Sequence, residues 1–192
     1  MEADGEIVEV LAAPDANWAV EVTADPAWDA ELPEWRAVVR KVAVAAQPSI
    51  AEAQAEAGCL GASAIALLLA DDATVRELNR DWREKDSATN VLSFATWWDD
   101  DCPAAPGGVP VHLGDIAVAR ETVFAEAARD GIRPADHFAH LVLHGVLHLL
   151  GYDHCEDDEA VAMERLETAL LHGLGIADPH AEELIHGETR DD

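Results

Sequence analysis

Residues 144–154 carry the sequence His-Gly-Val-Leu-His-Leu-Leu-Gly-Tyr-Asp-His, which spaces three histidines as H-x3-H-x5-H. His144 and His148 are four residues apart, so on a helix they lie on the same face, one turn from each other. Gly151 can end that helix, because glycine readily adopts the left-handed conformation found at helix ends. The chain can then turn back and bring His154 toward the other two imidazoles. The apolar residues between the histidines predict a buried helix with three imidazoles converging at its end.

Three imidazoles around an open fourth position are typical of a catalytic zinc site. The spacing matches the metzincin protease motif H-E-x-x-H-x-x-G-x-x-H at each histidine and at the glycine. It differs at Gly145, where those proteases have the glutamate that acts as general base. Either another residue supplies the base or the substrate is not a peptide, and the small residue leaves room beside the metal. The pattern predicts a zinc site formed by His144, His148 and His154.

The remaining metal-binding residue types are weaker candidates. His140 lies one turn before His144, and we expect it to support the site or pack beside it rather than bind the metal. Cys155 adjoins the third histidine, but its position is expected to point it away. His137, near the start of the helix, is expected to be solvated. Three histidines without a partner at ligand spacing are expected at the surface: His172, His180 and His186.

Length and composition favour one cytoplasmic domain. The chain of 192 residues is long enough for a single well-buried core. No apolar stretch is long enough to span a membrane, and the acidic start has neither the basic region nor the apolar core of a signal peptide. The three cysteines show no paired spacing, which suits a reducing compartment.

The chain is strongly acidic, with 12 basic residues, 39 acidic residues and a net charge of −27. Such a charge argues against tight binding of naked nucleic acid, because phosphate contacts supply much of that affinity. The acid excess is expected chiefly to keep the protein soluble. Four of the 12 basic residues nevertheless lie within ten positions, namely Arg76, Arg80, Arg83 and Lys85. A local patch of this kind can hold a phosphate on an acidic protein.

Hydrophobic periodicity predicts strands that alternate with helices, which indicates an α+β (mixed α/β) single domain. Strands are predicted at residues 6–11, 18–22, 63–69, 91–94 and 113–118. Helices are predicted at residues 34–46, 72–82, 121–129, 134–150 and 156–171. The helix at 72–82 is expected to have an aspartate cap and to turn Val75, Leu78 and Trp82 inward. Residues 97–111 are expected to form a mobile loop.

The histidine motif resembles the signature of the YbeY family, the bacterial endoribonucleases that mature ribosomal RNA. Residues 78–94 (LNRDWREKDSATNVLSF) resemble a second motif of that family, L-N-x-x-[YW]-R-x-K-D-x-x-T-[DN]-V-L-S-F. Residues 113–116 (LGDI) resemble its L-G-D-I strand. The three motifs occur in the family's order and cover roughly residues 60–170.

The resemblance implies a small mixed sheet of about four strands flanked by five to six helices, with one Zn²⁺ per chain. It further implies action on ribosomal RNA and the small ribosomal subunit, with ribosomal proteins and a ribosome-assembly GTPase as partners. We divide the chain accordingly into an N-terminal extension with the first strand (1–30), a YbeY-like metal-hydrolase domain (31–176) and a polar acidic tail (177–192). The tail is expected to be disordered.

Arg83 is the leading catalytic candidate away from the metal. Phosphodiester cleavage builds negative charge on phosphate oxygens, and the planar guanidinium group can bind two of them. The equivalent arginine is regarded as functional in the family, although an ordinary salt bridge is the alternative. Lys85 can hold a neighbouring phosphate or simply be exposed. Asp86 is expected to orient Arg83 or to cap the turn before the next strand.

Four further polar residues are candidates for substrate contact or for support of the site. Asn90 and Ser93 flank a strand and can touch substrate, with packing or turn roles equally open. Asp115 is expected to line the cleft or make a turn. Asp153 is expected to hold a ligand imidazole through its second nitrogen, or to make the turn, rather than to act as general base. Met163 is expected in the core beneath the site.

These patterns together predict a zinc-dependent, single-strand-specific endoribonuclease that acts in small-subunit rRNA maturation and ribosome quality control. One alternative is a metzincin-like metalloprotease, which needs a carboxylate from another segment. The other is a non-catalytic zinc-containing ribosome assembly factor, against which a site with three protein ligands argues. No general base is visible, and the choice between water and the RNA 2′-hydroxyl as nucleophile stays open.

Overall fold

A computed structural model describes residues 6–12, 18–56, 62–96, 110–154 and 156–177 of the chain. Five strands form one mixed sheet in the order β1-β2-β3-β5-β4. The strands are β1 (Ile7–Ala12), β2 (Trp18–Ala24), β3 (Ser63–Ala70), β4 (Val91–Ala95) and β5 (Val111–Ala119). β2, β3 and β5 run parallel, whereas β1 and β4 are antiparallel to their neighbours and form the two edges. The α+β class is confirmed, with one strand more than the four expected.

Six helices accompany the sheet in the described part of the chain, within the expected range. They are α1 (Ala27–Glu31), α2 (Trp35–Glu56), α3 (Asp72–Arg83), α4 (Arg120–Asp130), α5 (Pro134–Leu149) and α6 (Asp157–Gly173). The structure extends α2 beyond the predicted end at Ala46 and through Pro48. Its buried stripe continues with Ile50 and Gln54, so tertiary packing outweighs the local cost of the proline.

The core lies mainly on one face of the sheet, where α2, α5 and α6 pack against one another. α5 also contacts β4 and β5, and 11 of its residues are buried. A smaller apolar cluster lies on the other face, where Val75 of α3 packs against Leu92 and Ala117. β3 is apolar along nearly its whole length because both of its faces are covered.

α3 covers only part of its face of the sheet. The helix is capped by Asp71, whose side chain accepts a hydrogen bond from the Thr74 amide at 2.8 Å. Val75 is fully buried as expected, but the prediction for Trp82 is wrong, because its side chain is 72% exposed. Trp82 lies in the last turn, beyond the buried stripe, and leans on Phe94 of β4 with ring centroids 6.0 Å apart.

Gly114, from the LGDI motif, allows a close approach of three elements. Its φ of +147° is rarely adopted by other residues. A Cβ atom there would lie 2.3 Å from the carbonyl oxygen of Phe94 and 2.8 Å from the Leu149 side chain. The glycine therefore brings the end of α5 close to β4 and β5.

Some expectations concern residues outside the described ones. They are the mobile loop, of which residues 97–109 are outside, the acidic tail from residue 178 onward, and the orientation of Cys155. Among the described residues, no helix has both the length and the apolar character needed to cross a bilayer.

Candidate metal centre

The end of α5 brings three histidines together. α5 ends at Leu149, and Gly151 follows with a φ of +92°, so the predicted helix stop occurs at this glycine. The amide of Gly151 donates to the His148 carbonyl at 3.1 Å, which tightens the turn. The turn returns the chain so that the ring centroids of His148 and His154 lie 5.1 Å apart.

The donor atoms of this cluster fit a metal ion. One ligand nitrogen from each of His144, His148 and His154 lies within 4.8 Å of the others. The Nε2 atoms of His144 and His148 face each other at 3.0 Å. Three neutral imidazoles are a donor set that suits zinc and related transition metals. The cluster can therefore hold a metal ion.

His148 is kept in the form that binds metals. Burial lowers the pKa of its imidazole, and the electrostatic interaction with the neighbouring His144 and His154 rings lowers it further, while Asp153 opposes them. A lowered pKa favours the neutral ring, whose free nitrogen lone pair is the metal ligand.

A buried carboxylate that the sequence interpretation missed supports the histidines from behind. Glu167 of α6 is only 1% exposed. Its Oε1 lies 3.1 Å from Nδ1 of His144, and its Oε2 lies 3.4 Å from Nε2 of His140. When Nδ1–H of His144 donates to this carboxylate, Nε2 is left free to face His148. A contact of this kind fixes the tautomer and orientation of a metal-binding imidazole.

The sequence does carry a signal for Glu167. Met163, Glu167 and Leu171 are spaced by four residues and form the buried stripe of α6, so one acid occurs among apolar positions. A buried acid needs a partner, and His144 and His140 are 23 and 27 residues earlier in the chain. Met163 is buried, as expected.

Gly145 packs closely against the sheet, so the space next to its own backbone is filled. A Cβ atom at this position would lie 3.0 Å from two side-chain carbons of Ile116 and 3.1 Å from Oγ of Ser93. The expectation of free space there is therefore wrong, because α5 packs directly against β4 and β5. A glutamate in the protease position would have to displace these side chains.

A cavity of about 630 Å³ opens over the histidine cluster. Its lining consists of Trp82, Arg83, Asn90, Val91, Ser93, Phe94, Ala95, His144, His148, Tyr152, Asp153 and His154. It thus brings Arg83, Asn90, Ser93 and Asp153 together with the three histidines. Lys85 and Asp115 are exposed and lie outside this lining, and His140 lies behind the cluster against Glu167.

Arg83 is exposed at the cavity and forms no ion pair with another described residue. The expected partner, Asp86, instead binds Arg76 through two hydrogen bonds of 2.7 and 2.9 Å. This pairing draws Asp86 away and leaves the Arg83 guanidinium available. In a chain with 39 acids, an arginine without a carboxylate partner beside a histidine cluster is well suited to an anionic ligand.

The other polar residues of the cavity differ in how they are held. Oγ of Ser93 is buried and has no hydrogen-bond partner among the described residues. The Asn90 amide donates to Glu126 at 3.0 Å, and its oxygen accepts from the Val91 amide at 2.7 Å. The Asp153 carboxylate accepts from the backbone amide of His154 at 2.7 Å, a turn contact.

His137 is not solvated, contrary to the prediction. Its ring is 8% exposed, and Nε2 lies 2.8 Å from the Glu126 carboxylate. The first turn of α5 therefore faces α4 rather than solvent. His172 is exposed as expected, whereas His180 and His186 lie outside the described residues.

Comparison with known proteins places the chain in a family. The family model of the endoribonuclease YbeY matches residues 28–175. The endoribonuclease YbeY of Paramagnetospirillum magneticum is 49% identical over 167 residues, which cover 85% of this chain and 98% of the relative. That of Rhodospirillum rubrum is 63% identical over 118 residues, covering 62% of this chain and 58% of the relative. The solution structure of TM1509 from Thermotoga maritima is similar over 90% of this chain and 97% of that one, with 18% identity and a TM-score of 0.49. The chain belongs to the endoribonuclease YbeY family.

Proposed function

We propose that this protein is a zinc-dependent endoribonuclease that cuts single-stranded ribosomal RNA during small-subunit maturation and ribosome quality control. Its relatives are named endoribonucleases. The proposal depends on one feature, the cavity lined both by three converging imidazoles and by Arg83, which has no ion pair with another described residue. An anion bound in this cavity can contact both the histidine cluster and the positive charge of Arg83.

His144, His148 and His154 would hold one Zn²⁺. When bound there, zinc supplies a Lewis acid that neutralises phosphate charge and lowers the pKa of a coordinated water toward roughly 7. Glu167 holds the ring of His144 in the orientation that leaves Nε2 toward the cluster.

Arg83 would bind the phosphate oxygens on which charge develops during cleavage, because its guanidinium offers two parallel donors. Ser93 lines the cavity and remains a proposed substrate-lining residue, while its hydroxyl oxygen is buried and faces Gly145 of α5. Lys85 would contact a neighbouring phosphate from outside the cavity. Asn90 and Asp115 remain proposed substrate-lining residues, with Asp153 and His140 supporting the histidines.

The structure weakens the metalloprotease alternative. Ile116 and Ser93 occupy the space that a glutamate at position 145 would need. Asp153 is the only carboxylate among the described residues that line the cavity, and it already accepts a backbone hydrogen bond. The assembly-factor alternative is weakened because the described zinc ligands number three, whereas structural zinc normally has four.

The division of the chain at residues 30 and 176 stays a proposal. β1 and β2 both precede residue 31 and pair within the same sheet, so we propose that the extension serves the hydrolase domain structurally. We also retain the cytoplasm as location and a ribosomal protein or ribosome-assembly GTPase as partner. A partner that delivers RNA would offset the repulsion expected from a net charge of −27.

Cleavage of a single-stranded rRNA fragment tests this proposal. We expect zinc-loaded wild type to cut, His148→Ala to lose both zinc and cutting, and Arg83→Ala to keep zinc while kcat/KM falls about a hundredfold. Arg165→Ala is the matched control. Like Arg83, Arg165 is exposed and has no ion pair with another described residue, but it lies on α6 and does not line the cavity. Equal cutting by wild type and Arg83→Ala, or none by zinc-loaded wild type, would contradict the proposal.

A further inference from the structure

A second cavity, of about 610 Å³, lies on the face of the sheet opposite α5. Its lining is mostly apolar and consists of Ala66, Leu68, Leu78, Trp82, Phe94, Ala95, Thr96, Asp115, Ile116 and Ala117. The strand register explains which residues form the floor of this cavity. Ala66 and Phe94 both pair with Asp115, so the three side chains lie on the same face of the sheet. α3 leaves this part of the face open, since its buried stripe does not extend to Trp82.

The apolar cavity adjoins the histidine cavity at the edge strand β4. Trp82, Phe94 and Ala95 line both of them. The indole of Trp82 is 72% exposed and inclined by 56° to the ring of Phe94. A single exposed apolar side chain needs no explanation, but this one lies between an apolar cavity and a charged one.

We propose that the apolar cavity receives one unstacked nucleobase of the RNA strand, stacked on the indole of Trp82, while the attached phosphate reaches Arg83. The inference rests on the proposed function and adds how the strand is held. Trp82 and Arg83 are consecutive residues at the end of α3, and both line the histidine cavity, so an aromatic ring and a positive charge are available to one ligand. A nucleotide has the complementary pair, a flat base next to a phosphate.

The charge at the cavity wall favours a base over a phosphate as occupant. Asp115 is the one acidic residue of the described lining, and its side chain is 55% exposed. A carboxylate repels phosphate, but it accepts hydrogen bonds from the N–H groups on the edge of a base. The apolar walls in turn match the faces of a base. Stacking on a side chain requires an unpaired base, which gives a physical reason for single-strand preference.

Two other occupants have to be separated from a base. One is the segment 97–109 of this chain, which directly follows Thr96 at the cavity. The other is a second copy of the chain. Either would also cover an exposed indole, but neither would depend on the presence of a base at one position of a bound RNA.

The test uses the zinc-loaded full-length chain and a single-stranded 2′-O-methyl oligonucleotide, whose integrity is checked after each measurement. A 2-aminopurine is moved along the strand, and at one position we expect its fluorescence to be quenched. Trp82→Ala should remove that quenching and weaken binding about 10- to 100-fold, with Trp82→Phe in between. Val161→Ala, an exposed apolar residue on α6, should bind like wild type, and all variants should keep the wild-type Tm.

An abasic site at the quenched position decides between the occupants. The abasic site should weaken binding by the wild-type protein as much as Trp82→Ala weakens binding of the intact oligonucleotide. Combining the two changes should cause no further loss of affinity. The inference would be overturned if the two losses of affinity were fully additive, or if wild type and Trp82→Ala bound the oligonucleotide equally well. Self-association of the wild-type chain that Trp82→Ala abolishes would also overturn it. If wild type cuts RNA and Trp82→Ala cuts equally well, the base site fails while the nuclease proposal stands. If the binding results are as expected but zinc-loaded wild type cuts no RNA, the nuclease proposal fails while the base site stands.

Discussion

Glu167 is a buried side chain that orients a histidine of the candidate metal centre. Its carboxyl group is almost fully buried, which shields it from water, and its two oxygens contact His144 and His140. A carboxylate behind a ligand imidazole strengthens the donor and fixes which nitrogen points at the metal. The orientation of His144 therefore depends on α6 as well as on the helix that carries it.

We predict that Glu167→Leu, which keeps the side-chain volume close but removes the acceptor, weakens zinc binding about 10- to 100-fold. Glu167→Gln should lose less zinc affinity than Glu167→Leu, because its amide oxygen can still accept a hydrogen bond from Nδ1–H of His144. Competition with a chromophoric chelator measures the zinc Kd, and Tm measured with and without zinc separates binding from folding. Glu159→Gln, an exposed acid on the same helix, is the control. Wild-type zinc affinity in Glu167→Leu would show that the contact has no positioning role.

At the scale of elements, the site depends on how closely α5 approaches the sheet. Gly145 and Gly114 mark the two places where a side chain would separate them. Gly145 faces Ile116 and Ser93, and Gly114 admits Leu149 from the end of α5. The histidines on α5 consequently lie beside the edge strand β4. Trp82 and Arg83, at the end of α3, line the same cavity.

Gly145→Ala is predicted to destabilise the protein by about 1 kcal/mol, although alanine normally stabilises a helix. The gain in helix propensity is about 1 kcal/mol, and overpacking costs about 1–3 kcal/mol. Urea unfolding measures the difference. Gly173→Ala is the matched control, because nothing lies within 4 Å of its added Cβ, and it should not be destabilised. Ile116→Val removes one of the two crowded carbons, so Gly145→Ala should lower the free energy of unfolding less in that background. Additive effects of the two substitutions would contradict this contact.

The sequence predicted those elements whose pattern is local. β3, α3 and α5 follow from apolar periodicity and from caps and glycines within each segment. The continuation of α2 through Pro48 was not predictable, because it depends on the burial of Ile50 against other elements. The exposure of Trp82 was missed since periodicity identifies a helix face but not how far the sheet extends beneath it. Glu167 was missed because no short spacing connects it to His144.

The molecule as a whole is strongly acidic, whereas the proposed RNA site has basic residues. A net charge of −27 repels RNA at long range, whereas the contacts expected at the site come from Arg83 and Lys85, which form no ion pair with other described residues. Affinity should therefore come from a few close contacts, and base stacking should matter more than in a basic RNA-binding protein. This balance has a measurable consequence in the salt dependence of binding.

We predict a shallow salt dependence for binding of a single-stranded, cleavage-resistant oligonucleotide. Two phosphate contacts give a slope of log K against log salt of about −1.4, at about 0.7 per contact on single strands. Arg83→Ala and Lys85→Ala should each reduce the slope by about 0.7, whereas Arg165→Ala should leave it unchanged. Screening of the acidic surface should also raise the association rate as salt is first added, opposite to the behaviour of a basic protein. Affinities over a salt series and stopped-flow rates measure both quantities. A slope of about −4 or steeper would mean six or more phosphate contacts, and the strand would then follow a larger basic surface than Arg83 and Lys85 provide.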